Sequence, residues 1–387
     1  MSLFNEASLY ISPNGVKAGK LYAVKPTDGS GDLTVTRATT ATRVNSAGLI
    51  ESVAVNVPRL DYTNGSCPSM LVEPQRTNNF LYSEQFDNAY WLKSVATITA
   101  NNTISPDGNA TADKVEFNNG FINGTAIVAD NQTYTISFFA KKGTANVIQI
   151  SEAFYFGTGV VFDLNTGTIT SGTGKIENYG NGWYRCSMQI TYGVGQAISS
   201  WVLRNYQTGY VYLWGIQLEA GSYSTSYIRT TSASVTRNAD VISKTGISSL
   251  IGQTQGVLFL DYILTSDVGF PVDFELNSDN IGNNNVTIYH NGNLAGVTIR
   301  SGGSVIFSAL SSAITLNSRN KIALAYKQND FVAYINGIQF ASQTSGAAPL
   351  ILDNLRVTDG NRNYKINSAS VWKTRLTNSQ LAELTTI

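Results

Sequence analysis

Short segments of alternating apolar and polar residues recur along the chain, separated by glycine and asparagine. Leu33–Thr36 and Tyr134–Phe138 alternate strictly, and Phe331–Ile335 is almost entirely apolar. A period of two is typical of strands with one buried face, whereas no segment shows a sustained helical period. The pattern therefore predicts an all-β protein of many short antiparallel strands.

Two local signals are more specific. Asn336–Gly337 directly follows the strand pattern of Phe331–Ile335 and predicts a tight hairpin, because both residues tolerate positive φ. Near the C-terminus, Leu376, Leu381 and Leu384 surround a polar stretch that begins at Thr377. This spacing predicts a short helix packed on a sheet, capped by Thr377 or Asn378.

A chain of 387 residues is too long to fold around one ordinary hydrophobic core, so we expect two or three domains. Prolines break the strand pattern at Pro58, Pro68 and Pro74, and we interpret residues 1–82 as an extended N-terminal region with short strands. Residues 83–240 are typical of a sandwich or jelly roll. Residues 246–387 predict a second sandwich that carries the short C-terminal helix.

Charged residues make up only 13% of the chain, and 26 basic residues balance 26 acidic ones. Phosphate binding needs clustered lysine and arginine, and no basic stripe occurs, so we expect no nucleic-acid partner. No apolar run approaches the roughly 20 residues of a membrane-spanning helix, so we expect no membrane insertion. Met1–Glu6 lacks the charged and apolar segments of a signal peptide.

The cysteines are Cys67 and Cys186, and the single histidine is His290. A protein of this size made in the cytoplasm does not need a disulfide, so we expect two separate thiols. These few ligands exclude the usual zinc sites, and we expect no cofactor. A structural Ca²⁺ held by Asp279 and carbonyl oxygens of the polar loop 277–285 is the alternative to a solvated loop.

Aromatic residues reach 11% of the chain, with 20 tyrosines and 16 phenylalanines. Sugar binding needs a flat aromatic face for the C–H side of the ring and amides or carboxylates for its hydroxyl groups. Tyr155 and Tyr206 lie near turns and polar residues, and Asn283, Asn284 and Asn285 form a polar loop. These five residues are the predicted ligand-binding residues.

Trp91, Trp183, Trp201 and Trp372 are further candidates for a sugar platform. Trp183 begins a strand after a tight turn and is typical of an edge anchor. Trp201 and Trp214 lie inside apolar strands, so we expect them in a core.

The usual catalytic constellations are missing from the sequence. A Ser-His-Asp arrangement would have to use His290, and no Gly-x-Ser-x-Gly motif surrounds a serine. A glycosidase needs two carboxylates across a cleft, and their pairing is not decided by spacing in a sandwich. We therefore expect no enzyme, and a polysaccharide depolymerase is the alternative.

Short motifs follow one another in order through the middle of the chain. They are Arg76–Asn78, Tyr82–Glu84, Asn88–Trp91, Ser105–Gly108, Thr111–Lys114, Gly180–Cys186, Leu213–Gly221, Ser226–Ile228 and Thr230–Arg237. This ordered set resembles a module of structural proteins of tailed bacteriophages. The resemblance implies a jelly roll similar to carbohydrate-binding modules over residues 83–240.

The C-terminal part has a resemblance of its own, carried by Ala325–Lys327, Val332–Gly337 and Val371–Leu376. It resembles the concanavalin A-like, laminin-G-like sandwich. Neither resemblance assigns binding residues, so none are transferred to this chain.

The phage resemblance implies a component of the virion surface, made in the host cytoplasm, such as a head or tail fibre or a decoration protein. Residues 1–82 would then contact other virion proteins and hold the subunits of a homo-oligomer together. The oligomer that we expect first is a trimer. The implied activity is adhesion to glycans of the host or its surroundings. The alternatives are a purely structural virion protein that makes only protein contacts, and a polysaccharide depolymerase.

Overall fold

The computed structural model describes residues 3–17, 19–63, 65–153, 159–195, 198–206, 208–266, 272–278, 282–358 and 363–387. The chain forms two compact units, each drawn from separated segments. The first unit comprises Met1–Thr40, Val53–Gln75 and Asn238–Ile387, and the second comprises Ala41–Ser52 and Arg76–Arg237. Both are built almost entirely of antiparallel strands, which confirms the predicted all-β class of tandem antiparallel β-sandwiches.

Regular structure begins with a short 3-10 helix at Leu3–Glu6. The strands up to residue 78 are β1 (Leu9–Lys17), β2 (Lys20–Lys25), β3 (Leu33–Thr36), β4 (Ala41–Val44), β5 (Ile50–Val53), β6 (Leu60–Asp61), β7 (Ser69–Val72) and β8 (Arg76–Asn78). The middle strands are β9 (Leu92–Thr103), β10 (Ala112–Ile127), β11 (Thr133–Lys142), β12 (Val147–Glu152), β13 (Val160–Asp163), β14 (Thr168–Ser171), β15 (Lys175–Asn178), β16 (Trp183–Thr191), β17 (Ile198–Arg204), β18 (Thr208–Ala220), β19 (Val235–Arg237) and β20 (Val241–Lys244).

A second 3-10 helix at Ser248–Leu250 precedes the last group of strands. These are β21 (Gln255–Leu264), β22 (Val272–Asn277), β23 (Asn285–Asn291), β24 (Leu294–Ser301), β25 (Ser304–Ala313), β26 (Arg319–Lys327), β27 (Asp330–Ile335), β28 (Ile338–Gln343), β29 (Asn354–Thr358) and β30 (Tyr364–Trp372). The α-helix α1 (Asn378–Thr385) ends the chain's regular structure.

The sheet of the first unit curls around an apolar core. Its order is β25-β24-β23-β22-β29-β20-β3-β2-β1-β30-β21-β26-β27-β28, with β7 beside β30 and β6 beside β7. The two ends of this order meet, because Gln343 in β28 donates a side-chain hydrogen bond to the carbonyl oxygen of Ile306 in β25 at 2.7 Å. The core takes residues from both halves of the order, among them Val286 and Leu324. Removal of this apolar surface from water is the main stabilising contribution.

The division of the chain differs from the predicted boundaries of 1–82, 83–240 and 246–387. Residues before Gln75 do not form an extended region apart, because β1 pairs with β30 and β3 pairs with β20. The alternating residues Leu9, Leu21 and Leu33 are buried in the core of the first unit. The N-terminal strands are therefore internal strands of a sheet that the C-terminal residues complete.

The second unit is a jelly roll in which the long strand β10 contributes to two sheets. Residues 113–118 of β10 pair with β18, and residues 121–127 pair with β17. One sheet runs β10-β18-β11-β16-β15 and the other runs β10-β17-β12-β13-β14, with β9 beside β10. The chain crosses between the two sheets after β11, β14, β16 and β17, so that each sheet is built from separated segments, as in a jelly roll. The jelly roll expected within residues 83–240 is present, and residues 41–52 and 76–82 belong to the same unit.

The two local predictions near the C-terminus are confirmed. Asn336 and Gly337 have φ of 49° and 83° in the turn between β27 and β28. The Thr377 side chain accepts from the Gln380 backbone, and Gln380 returns a bond to the Thr377 backbone, so Thr377 caps α1. Leu381 packs the helix on the outer face of the first unit's sheet, against a cluster that includes Trp372. No helix in the described ranges is long and apolar enough to span a membrane.

Candidate functional site

The predicted ligand-binding residues are divided between the two units. Tyr155 lies outside the described residues. Tyr206 follows β17 in the second unit, and 63% of its surface is exposed. Asn283, Asn284 and Asn285 belong to the first unit, in the turn before β23 and at its first residue. Tyr206 and the three asparagines therefore belong to separate candidate sites.

A bulge in β10 turns Phe121 to the outer face of the jelly roll. Phe117 is buried in the core, and strict alternation would bury residue 121 as well. The register between β9 and β10 instead shifts between Phe117 and Phe121. Gly120 fits at the bulge because a Cβ there would lie 2.1 Å from the carbonyl oxygen of Val95. As a result Ile122 points into the core and Phe121 points outward, half-buried.

Neighbouring strands then place an aromatic ring, a guanidinium and an amide side by side. Phe121 of β10 is paired with Arg204 of β17, and Arg204 is paired with Gln149 of β12. Directly opposite residues in a sheet point to the same face with Cβ atoms about 5 Å apart. Tyr206 adds a phenol two positions beyond Arg204. We call these four side chains, Phe121, Gln149, Arg204 and Tyr206, the Tyr206 face.

The guanidinium of Arg204 is held by neutral groups. Its Nη1 donates to Tyr206 Oη at 2.8 Å. Its Cζ lies 5.3 Å from the ring centroid of Tyr206 and 5.8 Å from that of Phe121, which are cation–π distances. No ion pair within the described ranges includes Arg204. The positive charge is thus oriented by two rings and a hydroxyl group rather than by a carboxylate.

The amide of Gln149 is packed against the residue that precedes β13. A Cβ at Gly159 would lie 2.4 Å from Gln149 Nε2, so glycine leaves the room that this amide occupies. Gln149 Oε1 is buried and has no hydrogen-bond partner among the residues that the structure describes. A buried acceptor without a donor is costly, and such atoms are satisfied where a water molecule or a ligand supplies the donor.

Most polar groups of the asparagine turn in the first unit already bond to neighbouring backbone groups. Asn284 Oδ1 accepts from the backbone N–H of Gly302 at 3.1 Å, and the Asn283 carbonyl oxygen accepts from Gly303 N–H at 2.8 Å. Asn285 is buried at 7% exposure, and its Oδ1 has no partner in the described part of the chain. Only the Asn283 side chain of these three is exposed, so a ligand on this turn would be met by that amide.

All five tryptophans are buried, which removes them as open sugar platforms. Trp201 and Trp214 lie in the core as expected. Trp91, Trp183 and Trp372 also lie in apolar clusters. Each of their indole N–H groups donates to a backbone carbonyl oxygen, so burial leaves none of these three indole donors unpaired. Exposed aromatic surface on the jelly roll is provided by Tyr206 instead.

Two carboxyl groups of the second unit have raised pKa values, and both are used by the fold. Burial raises the pKa of Asp113 to about 6 and raises the pKa of Glu84 above its ordinary value. Asp113 accepts from the backbone N–H groups of Phe86 at 2.8 Å and Asn101 at 2.9 Å. Glu84 is paired with Arg229 at 3.1 Å. These contacts account for both groups without a catalytic pair.

The cysteines and the histidine also have structural positions. Cys67 is exposed and Cys186 is buried, and both are free thiols, which confirms the prediction. His290 is buried, with Nε2 2.6 Å from Tyr262 Oη. Within the described ranges, no group of three or more His, Cys, Asp or Glu side chains could hold a metal ion. Asp279, the predicted Ca²⁺ ligand, lies outside those ranges.

Comparison with known proteins gives distant structural similarities. No protein-family model matches the chain, and no curated protein sequence matches it. The sialidase CBM40 module of Ruminococcus gnavus bound to α2,3-sialyllactose has 17% identity and a TM-score of 0.32, covering 36% of this chain and 86% of the module. A leech intramolecular trans-sialidase has 19% identity and a TM-score of 0.32, covering 35% and 24%.

A structure from a study of botulinum neurotoxin type C and its two ganglioside molecules has 11% identity and a TM-score of 0.32. It covers 38% of this chain and 39% of the toxin chain. Identities and TM-scores this low carry no inference about the function of this protein.

Proposed function

We propose that this protein is a non-catalytic glycan-binding protein of the tailed-bacteriophage virion surface, and that the Tyr206 face is its sugar site. The observation that carries the site is the 63% exposure of Tyr206 beside Arg204 on an outer sheet face. The virion location, as a head or tail fibre or a decoration protein, is supported by the ordered motifs between Arg76 and Arg237.

The chemistry of the Tyr206 face suits a sugar ring. The phenol of Tyr206 offers an apolar surface to the C–H groups of the ring and a polar edge to its hydroxyl groups. Arg204 and Gln149 supply N–H donors beside it. These two residues lie on β17 and β12, so part of the site is held in place before the ligand binds, which lowers the entropic cost of binding.

A small site of this kind binds weakly, and display in several copies compensates for it. We expect a dissociation constant between about 1 mM and 1 μM, or roughly −4 to −8 kcal/mol. Assembly of the protein, in first place as a trimer, would raise the avidity. Because β1, β2, β3 and β7 are built into the sheet of the first unit, contacts with other virion proteins would use a folded surface of that unit.

The direct test is adsorption of the purified protein to host cells, in competition with soluble host polysaccharide. We expect adsorption that the polysaccharide abolishes, and at least tenfold weaker adsorption for Tyr206→Ala. Tyr22→Ala is the control, because it removes a half-buried tyrosine of the first unit and leaves the Tyr206 face unchanged. Equal midpoints of thermal unfolding for the unchanged protein, Tyr206→Ala and Tyr22→Ala would show that the substitutions preserve the fold.

Three results would change the assignment. Undiminished adsorption by Tyr206→Ala together with a loss in Asn283→Ala would move the site to the asparagine turn. Absence of any adsorption would favour the alternative hypothesis of a purely structural virion protein. Shortening of the polysaccharide during the assay would establish a depolymerase.

A further inference from the structure

Arg204 of the second unit has no acidic partner among the residues that the structure describes. Arg43 of the same unit has Glu51 at 2.6 Å, and Arg229 has Glu84 at 3.1 Å. No carboxylate of the described residues pairs with Arg204. The other residues of this unit, 154–158, 196–197 and 207, include no Asp or Glu in the sequence. Arg204 is therefore a half-buried cation that no carboxylate of its own unit neutralises through an ion pair.

The donors of this guanidinium are also largely unused. Arginine carries five N–H donors. Within the described ranges, the guanidinium of Arg204 makes one hydrogen bond, from Nη1 to Tyr206 Oη. Its Nε is buried and without a partner there. The planar fork of arginine matches the geometry of a carboxylate, to which it binds through two parallel hydrogen bonds. The two aromatic rings that contact it restrict its motion, so less entropy is lost when a ligand binds.

We propose that Arg204 makes the Tyr206 face selective for sugars that carry a carboxylate, such as uronic acids. This inference rests on the proposed glycan-binding function and specifies its ligand class. The carboxylate pairs with the guanidinium of Arg204, while the sugar ring lies on Tyr206. A site without this cation would show no such preference.

The test uses the full chain and pairs of immobilised oligosaccharides that differ in the acidic group. Oligogalacturonate, hyaluronan oligosaccharides and 3′-sialyllactose are each compared with their carboxyl-reduced forms. We expect binding to at least one acidic member, at least tenfold tighter than to its neutral partner. Raising the salt concentration should weaken this binding, because it screens the charge pair.

Variants then assign the preference to one side chain. Arg204→Gln should bring the acidic and neutral members within about twofold of each other, and Arg204→Lys should retain only part of the preference, because lysine keeps the charge but lacks the fork. Arg43→Gln is the matched control, since it removes the same charge from an arginine of the same unit that already has a partner. It should leave the preference unchanged.

The outcomes separate this inference from the function on which it rests. Equal binding of acidic and neutral members overturns the selectivity and leaves glycan binding in place. Binding of sulfated but not carboxylated sugars, tested with heparin and its desulfated form, overturns the carboxylate assignment. A preference that survives Arg204→Gln assigns it to another residue and also overturns the inference. No binding to any sugar removes the proposed function itself.

Discussion

Replacing Asp240 by asparagine should destabilise the first unit by about 3–5 kcal/mol, the cost of breaking a buried ion pair. Asp240 Oδ1 accepts from Arg37 Nη1 at 2.8 Å, and its Oδ2 pairs with Arg59, which also pairs with Glu73 at 2.6 Å. All four side chains are buried, so two guanidinium groups are neutralised by two carboxylates away from water. Asparagine preserves the size of the side chain but leaves one buried cation without its counter-charge.

The effect is measured as the unfolding midpoint of each unit, with thermal unfolding monitored by hydrogen exchange of peptides from that unit. The first unit has about 210 residues, for which 1 kcal/mol corresponds to about 2–4 °C, so its midpoint should fall by roughly 6–20 °C. Asp330→Asn is the control, because its pair with Arg375 is partly exposed and should contribute less than about 1 kcal/mol. A change below about 1 kcal/mol in Asp240→Asn, or a loss confined to peptides of the second unit, would refute this reasoning.

Three further predictions follow from single contacts. Because the pKa of Asp113 is raised to about 6 from 3.8, the folded protein binds this proton more tightly, and the free energy of unfolding should fall as the pH rises through this interval. Urea denaturation at each pH should show that Asp113→Asn removes this contribution, which is at most about 3 kcal/mol over the interval; identical slopes would contradict the assignment. Thr377→Ala should cost about 1 kcal/mol and increase hydrogen exchange in α1, and unchanged exchange would argue against the cap. A thiol reagent should modify Cys67 in the folded protein but Cys186 only on unfolding, since Cys186 is buried and burial raises its pKa; equal rates would contradict that burial.

Local structure could be predicted where a few adjacent residues decide it. The Asn336–Gly337 turn requires only the positive φ that these residues tolerate. The cap of α1 needs only Thr377 and Gln380, which lie three residues apart. Strand type could likewise be predicted from the alternation of residues such as Leu33–Thr36, because one buried face imposes that period.

The assembly of the units could not be predicted in the same way. Leu9 pairs with Val371 across almost the whole chain, and nothing in the short β1 segment distinguishes β30 from the other strands as its partner. The partner is chosen by the packing of many alternating strands in one core. For the same reason the ion pair between Arg37 and Asp240, 203 residues apart, has no signature in the sequence.

The candidate site shows the same division. Tyr206 could be selected from the sequence because it lies beside a turn, and it is exposed. Phe121 and Gln149 were missed, since their position beside Arg204 depends on the register of three strands. A signal for Phe121 was present in Gly120, because a glycine within a strand pattern indicates a bulge, and a bulge reverses which residues face outward.

A crystal structure of the full chain with the tightest-binding acidic oligosaccharide would show directly whether the Tyr206 face binds the sugar. We expect a sugar ring against the phenol of Tyr206, with the carboxylate of that sugar in hydrogen-bond contact with the guanidinium of Arg204. A sugar ordered at another place, such as the Asn283 turn of the first unit, with the Tyr206 face unoccupied, would contradict it.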